Sequence, residues 1–398
     1  MAVYLDHNAT TPVHREVVEA MLPWFSQRIG NGSALHSPGR AARAAVEKAR
    51  AQVAALIGAE PDRVFFTSGG TESDNLAIYG SLGLLGAGAR FVTSAIEHPA
   101  VLSCAQAQED GGRTVARVRP APSGRVDPEA LAAACSPGPC LVSLMCANNE
   151  TGVVQPVFES VQAVRAVSPQ ALFHSDAVQA AGRIPLDVVS LGVDLLTLSS
   201  HKLHGPQGVG ALFIRQGLDL PPLLHGGGQE DGMRPGTYNV AGIVGFGIAA
   251  ELAARNRAED MEYVAAMRDR LEEGLLRLAP SAVVLGRDEA RLPNTINVCF
   301  PGRDARMLAA NLDALGIYVA TGSACSSGDD APSHVHEAMG LPADLSRGAL
   351  RLSLGLDTGE DEVEEALRAF GQVLGNEKSR SGSWSAAAGR LWKRSSPK

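Results

Sequence analysis

Lys202 follows the apolar run Leu196-Thr197-Leu198 and the polar turn Ser199-Ser200-His201, and Gly205-Pro206 ends the segment. A free lysine amine titrates at about 10.4 and is a poor nucleophile at neutral pH unless it is desolvated or set beside a cation. A lysine leaving a buried strand can meet that condition and form a Schiff base with an aldehyde. Cys325 is the second reactive side chain, in Ala320-Thr321-Gly322-Ser323-Ala324-Cys325-Ser326-Ser327-Gly328-Asp329-Asp330. Small residues on both sides predict an exposed loop, whereas free cysteines are usually buried. A thiol in such a loop points to nucleophilic sulfur chemistry.

Five further segments carry polar residues where apolar runs end. Ser68-Gly69-Gly70-Thr71-Glu72-Ser73-Asp74 combines glycines with Thr71-x-x-Asp74, a helix-capping pattern. Helix amides there would suit a phosphate; the plain alternative is a glycine turn before a capped helix. His98 could lie on an aromatic ring and relay protons, or be structural. Asp176 could keep a pyridine nitrogen protonated, with Gln179 facing the phenolic oxygen of the same ring, or could simply cap a helix. Asn149, in Asn148-Asn149-Glu150-Thr151-Gly152, fits an ordinary turn as well as a binding role. Arg351 interrupts the apolar strand Leu350–Leu354, where it needs an anion such as a substrate carboxylate, a structural partner or a strand edge.

These residues need a scaffold that brings strand ends together. Short apolar runs at 64–67, 90–93, 140–144, 171–174 and 195–198 alternate with helical patterns at 43–57 and 157–167, and 210–214 fits a further strand. Near-continuous apolar strands between helices predict a mostly parallel α/β sheet, with ligands beyond the strands' carboxyl ends. Residues 243–278 read as one or two long helices leading to a second unit. That unit has strands at 295–300 and 350–354 and helices at 304–315 and 361–374. Residues 376–398, rich in Ser, Arg, Lys and Ala, read as a poorly ordered tail.

The chain of 398 residues has room for two domains, and its net charge of −8 argues against direct nucleic-acid binding. No apolar run approaches the ~18 residues of a membrane span. The first seven residues lack a basic region followed by an apolar stretch, so no signal peptide and a cytoplasmic location are expected. The six cysteines form no Cys-x-x-Cys pair, so neither a disulfide framework nor a metal site is expected. Five of them, all but Cys325, read as small buried hydrophobes.

Taken in order, the motifs resemble the NifS/IscS-like cysteine desulfurases of the class V aminotransferase family of pyridoxal-phosphate enzymes. The resemblance rests on Tyr4–Pro12, Thr67–Asn75, Glu97-His98, Asn148–Gly152, Asp176–Gln179, Ser200–Lys202, Arg234–Thr237 and Gly322–Cys325. It implies fold type I: a large domain at 15–256 with a mostly parallel seven-stranded sheet, and a smaller α+β domain from 1–14 and 257–375 carrying the cysteine loop. It implies pyridoxal 5'-phosphate held covalently by Lys202, with His98 on the ring, Asp176 at the ring nitrogen and Gln179 at the ring hydroxyl. Gly70, Thr71, Ser199 and His201 would hold the phosphate, and Thr237 the phosphate of a neighbouring subunit, hence a homodimer. Asn149 and Arg351, helped by Asn31, would bind L-cysteine. Cys325 would take its sulfur as a persulfide and pass it to an acceptor protein, an iron-sulfur scaffold or a sulfur carrier for tRNA thiolation.

Two rival readings keep the same fold: a selenocysteine lyase, and a catalytically silent interaction subunit. Four departures from the pattern stand out. Gln207 replaces a frequent basic residue, read as a surface change of little consequence. Gly32 replaces a frequent proline, Asp329-Asp330 add acid after the nucleophile, and the tail after Gly375 is unlike a scaffold-docking terminus.

Overall fold

The computed structural model describes residues 2–135, 138–321 and 332–376. Cys325 with its loop, and the tail from residue 377 on, lie outside the described residues.

Seven strands form the main sheet, in the order Val64–Thr67, Gly210–Ile214, Leu195–Ser199, Leu172–Asp176, Cys140–Ser143, Arg90–Ser94 and Val115–Val118. Only Gly210–Ile214 runs against its neighbours, so the sheet is mostly parallel. Its apolar runs are continuous because alternate residues enter different cores. Phe91, Leu141, Leu195 and Leu212 pack under helix Gly70–Leu85. Val92, Val142, Leu196 and Phe213 pack into the larger core on the other face. Val115–Val118 was not anticipated: this edge strand is half-exposed throughout and carries Arg117, so its apolar pattern is too short to read.

The stretch after residue 240 is one helix, Val240–Leu278, of 39 residues. At about 1.5 Å per residue it is long enough to serve two cores. Ile243, Phe246 and Ala250 enter the first, and Val264, Leu271 and Leu275 the second. Its glycines let it lie against helix Ser37–Leu56: a Cβ at Gly247 would stand 2.6 Å from Ala49 Cα.

The second core surrounds a four-stranded antiparallel sheet in the order Ala320–Thr321, Ala349–Ser353, Thr295–Cys299 and Val283–Val284. Val3 and Leu5 are buried in it, because Val3–Tyr4 pairs in parallel with Ile317–Tyr318. The N-terminal segment then crosses back to the main sheet at residues 7–11. No helix among the described residues is long and apolar enough to cross a membrane. Cys104, Cys135, Cys140, Cys146 and Cys299 are free and buried, as small apolar side chains would be.

Candidate active site

Every sequence-derived residue of the sheet region lies beyond a strand's carboxyl end. Val64–Thr67 leads to Gly69-Gly70, and Leu195–Ser199 ends on Ser199 before Lys202. Gly70, Thr71, Ser199 and His201 line one open cleft of about 490 Å³. The Thr71-x-x-Asp74 cap does not form. Gly70 already begins the helix, Gly69 occupies the cap position, and no side chain bonds the first-turn amides. Asp74 is buried instead, 3.6 Å from His174. A 16-residue helix thus opens its N-terminus on the cleft, as an anion requires. Gln207, at the surface as expected, also lines this cleft, with Nε2 donating to Thr10 Oγ1 at 3.3 Å. Burial, with the Lys202 and Arg183 charges, lowers the His201 pKa to about 4, leaving a neutral imidazole beside Thr10.

Asp176 ends the central strand and starts no helix; its Oδ1 accepts from Val178 N at 2.8 Å. Burial raises its pKa, while His98 and Lys202 pull the other way. A buried carboxyl beside an open cleft calls for a cation such as a protonated ring nitrogen. His98 has a structural role in the fold. Its Nδ1 accepts from Ala100 N at 3.1 Å and caps helix Pro99–Asp110, as the structural alternative expects. Burial keeps its pKa low, opposed by Asp176, so the ring is neutral; with Nδ1 accepting from Ala100 N, the ring proton sits on Nε2.

Lys202 and Gln179 converge on one carbonyl. Lys202 Nζ donates to Asn8 O at 2.5 Å and Ala9 O at 2.6 Å, and Gln179 Nε2 donates to Asn8 O at 3.0 Å. Arg183 Nη1 bonds Gln179 Oε1 at 2.6 Å, which fixes the amide with its nitrogen toward Asn8. These carbonyls and Arg183 escaped the sequence reading. The only signal was the Tyr4–Pro12 block, which has no helix or strand pattern, and backbone carbonyls carry no residue-type signature.

Beyond the carboxyl end of Cys140–Ser143, Asn148 builds the turn that frees Asn149. Asn148 Oδ1 accepts from Glu150 N and Thr151 N at 3.0 and 2.9 Å, and its Nδ2 donates to Ile96 O at 2.9 Å. Asn149 Oδ1 is buried with no partner among the described residues. Arg351 Nη1 reaches Asn149 O at 3.2 Å, Nη2 binds Asp6 Oδ1 at 2.5 Å, and Nε is unpartnered. Arg351 therefore has the structural ion pair expected as one alternative, and its Nε is a buried donor with no partner among the described residues.

Two residues are not brought into this group. Thr237 is exposed and does not line the cleft, and Asn31 is exposed with its side chain accepting from Ser33 N at 2.9 Å. Cys325 lies outside the described residues, but both flanks are in view. Ala320 pairs with Arg351, and Ser333 Oγ donates to Glu150 Oε2 at 2.6 Å, so the segment leaves and re-enters beside the Asn149–Arg351 side.

The residues present fit pyridoxal phosphate: an uncapped helix N-terminus for phosphate, a buried carboxyl for the ring nitrogen, and a lysine amine whose charge acts on that carboxyl. The chain matches the family model Aminotransferase class-V over residues 3–366. It is 45% identical to a cysteine desulfurase of Gluconacetobacter diazotrophicus over 97% of each chain. It is 42% identical to the cysteine desulfurase NifS of Azotobacter vinelandii, over 96% of this chain and 95% of that one. A solved NifS-like protein superposes with a TM-score of 0.89 at 38% identity, covering 94% of this chain and 100% of the other. The chain therefore belongs to the pyridoxal-phosphate-dependent class V aminotransferase family, in its NifS/IscS-like cysteine desulfurase group.

Proposed function

We propose that the protein converts L-cysteine to L-alanine and keeps the sulfur as a persulfide on Cys325. The observation that carries this reading is the pairing of Arg351 and Asn149, each with a buried unpartnered atom, beside the two flanks of the cysteine segment. Lys202 would hold the cofactor covalently, Asp176 and Gln179 would meet its ring nitrogen and hydroxyl, and Gly70, Thr71, Ser199 and His201 its phosphate. When bound, pyridoxal phosphate supplies an electron sink for negative charge at the substrate α-carbon.

The protein's own groups do the rest. Arg351 takes the substrate carboxylate and Asn149 orients it. The Lys202 amine moves the Cα proton. His98 is the proton carrier at the substrate thiol. Cys325 Sγ attacks the substrate sulfur as a thiolate. The S–S bond forms as the C–S bond breaks, the electron pair stays with the carbon fragment, and protonation releases alanine.

The persulfide then passes to an acceptor protein, an iron-sulfur scaffold or a carrier for tRNA thiolation, in the cytoplasm. We read residues 15–256 as the cofactor domain and 1–14 with 257–375 as the smaller one; the burial of Val3 and Leu5 in the second core supports this. We also read the protein as a homodimer in which Thr237 serves the partner's phosphate. Thr237 is exposed and does not line its own cleft, and Leu22, Phe25, Ile29 and Leu35 form a run of exposed apolar residues elsewhere in the chain.

The test is Cys325→Ala. The variant is expected to keep the cofactor absorbance near wild type and to lose sulfide release and persulfide labelling. Full sulfide turnover in that variant would remove the nucleophile from the mechanism.

A further inference from the structure

Arg183 is a buried cation that the proposed reaction does not use. It is 7% exposed, and among the described residues it forms no ion pair with a carboxylate. Its Nη1 is held by Gln179, at 2.9 Å from the carbonyl and 2.6 Å from Oε1. Its Nη2 has only a 3.5 Å contact with His7 O. Beside it His7 is 1% exposed, and its Nδ1 has no partner among the described residues. A buried guanidinium whose free edge meets no acid is destabilising unless an anion completes it.

These groups line a cavity of about 90 Å³ between the N-terminal segment, the long helix Val240–Leu278 and the loop at 354–356. Its apolar wall comes from Leu203, Leu252, Ala253, Met261 and Leu354. None of Asp176, His98, Asn149, Arg351 or Gly70 lines it; Lys202 forms part of the wall toward the catalytic cleft. His204 closes the same side. It is held at a φ of 60°, in the left-handed region that non-glycine residues avoid, by a 3.0 Å contact from Nδ1 to Pro12 O.

We propose that this cavity is a second ligand site for a small monocarboxylate with a short apolar chain, bound through Arg183. The size agrees: a water needs roughly 10–15 Å³ of such space, so the cavity admits several non-hydrogen atoms. The charge agrees as well. Glu16 and Asp260 also line the cavity, and Asp357 lies 3.6 Å from His7 Nε2. With Arg183 and Lys202 as the cations of the lining, these carboxylates oppose a dianion such as phosphate more strongly than a single negative charge. The apolar wall selects an alkyl chain over a free halide or formate.

Labelled propionate in equilibrium dialysis against the holoenzyme, at constant ionic strength, tests this. Wild type is expected to bind one equivalent per chain, with no displacement by inorganic phosphate. Arg351→Gln, which removes the carboxylate handle of the catalytic cleft, is expected to bind propionate as wild type does. Arg183→Gln should weaken binding about tenfold or more, the scale of one charge-assisted hydrogen bond. Ala253→Leu, which fills the cavity from the helix side without touching the guanidinium, should weaken it similarly. Absence of saturable binding in wild type, or its loss in Arg351→Gln, overturns the proposal. So does unchanged binding in Arg183→Gln, or in Ala253→Leu should the arginine variant fail to fold.

Discussion

Arg351 and Asp6, 345 positions apart, meet with Nη2 2.5 Å from Oδ1, while Arg351 Nε is buried without a partner among the described residues. The pair aims the guanidinium and leaves part of it for a ligand. A lysine at this position keeps the charge but loses the planar fork. Arg351→Lys is therefore expected to raise KM for L-cysteine by about tenfold or more, the scale of one charge-assisted hydrogen bond. The cofactor spectrum should stay as in wild type. Steady-state alanine formation alongside absorbance decides it; an unchanged KM would show that the substrate carboxylate binds elsewhere.

The adjacent asparagines separate stability from activity. Asn148 satisfies Ile96 O, Glu150 N and Thr151 N, all buried, whereas Asn149 Oδ1 has no protein partner. Asn148→Ala should destabilise the fold by about 2–4 kcal/mol, because buried donors and acceptors are left unpaired. Asn149→Ala should change stability by less than about 1 kcal/mol and lower kcat/KM instead. Urea melts and steady-state kinetics on both variants test the contrast, and the reverse order of effects would contradict it.

Gly210 sits where two backbones touch. A Cβ there would stand 2.7 Å from Gly69 Cα and 2.7 Å from Leu198 O. Neither neighbour is a flexible side-chain end, so Gly210→Ala must shift the loop that opens helix Gly70–Leu85. We expect a loss of about 1–3 kcal/mol and weaker retention of pyridoxal phosphate on dialysis. A variant that melts like wild type and keeps its cofactor would mean the loop tolerates the displacement.

Glu97 makes stability depend on pH. It is fully buried, its Oε1 accepts from Ser94 Oγ and Met145 N at 2.5 and 3.0 Å, and its Oε2 has no partner. Burial, the largest influence, pushes its pKa up to about 8. The folded state therefore holds the proton more tightly than the unfolded chain, whose carboxyl titrates at 4.5. Its stabilising contribution is complete below that value and is lost as pH rises toward and through about 8. Glu97→Gln keeps an acceptor for both donors and cannot ionise. Between pH 6 and 8.5 it should lose less stability than wild type, the difference growing by at most about 1.4 kcal/mol per pH unit. Parallel melts across that range measure it; identical slopes would place the titration elsewhere.

Much of this protein was legible in its residue types. Continuous apolar strands alternating with helical stretches determine a two-faced parallel sheet, because only a sheet covered on both sides can bury every position of Cys140–Ser143 or Leu195–Ser199. The polar residues ending those strands, from Gly70 to Asp176 and Lys202, follow from the same pattern, since a strand's last residues are the first to leave the core. The edge strand Val115–Val118 was not legible, because half-exposed positions carry little apolar signal.

Only the tertiary structure decided which residues meet. Asn8 gives one backbone carbonyl to both Lys202 and Gln179, and nothing in the chemistry of asparagine announces it. Asp6 reaches Arg351, and Arg183 orients Gln179, through contacts set by where the N-terminal segment crosses between the two cores. Thr71-x-x-Asp74 reads as a cap until Gly70 starts the helix one residue too early. Residue type and spacing govern local propensity and burial. The pairing of distant polar atoms depends on chain path, which the packing of whole elements determines.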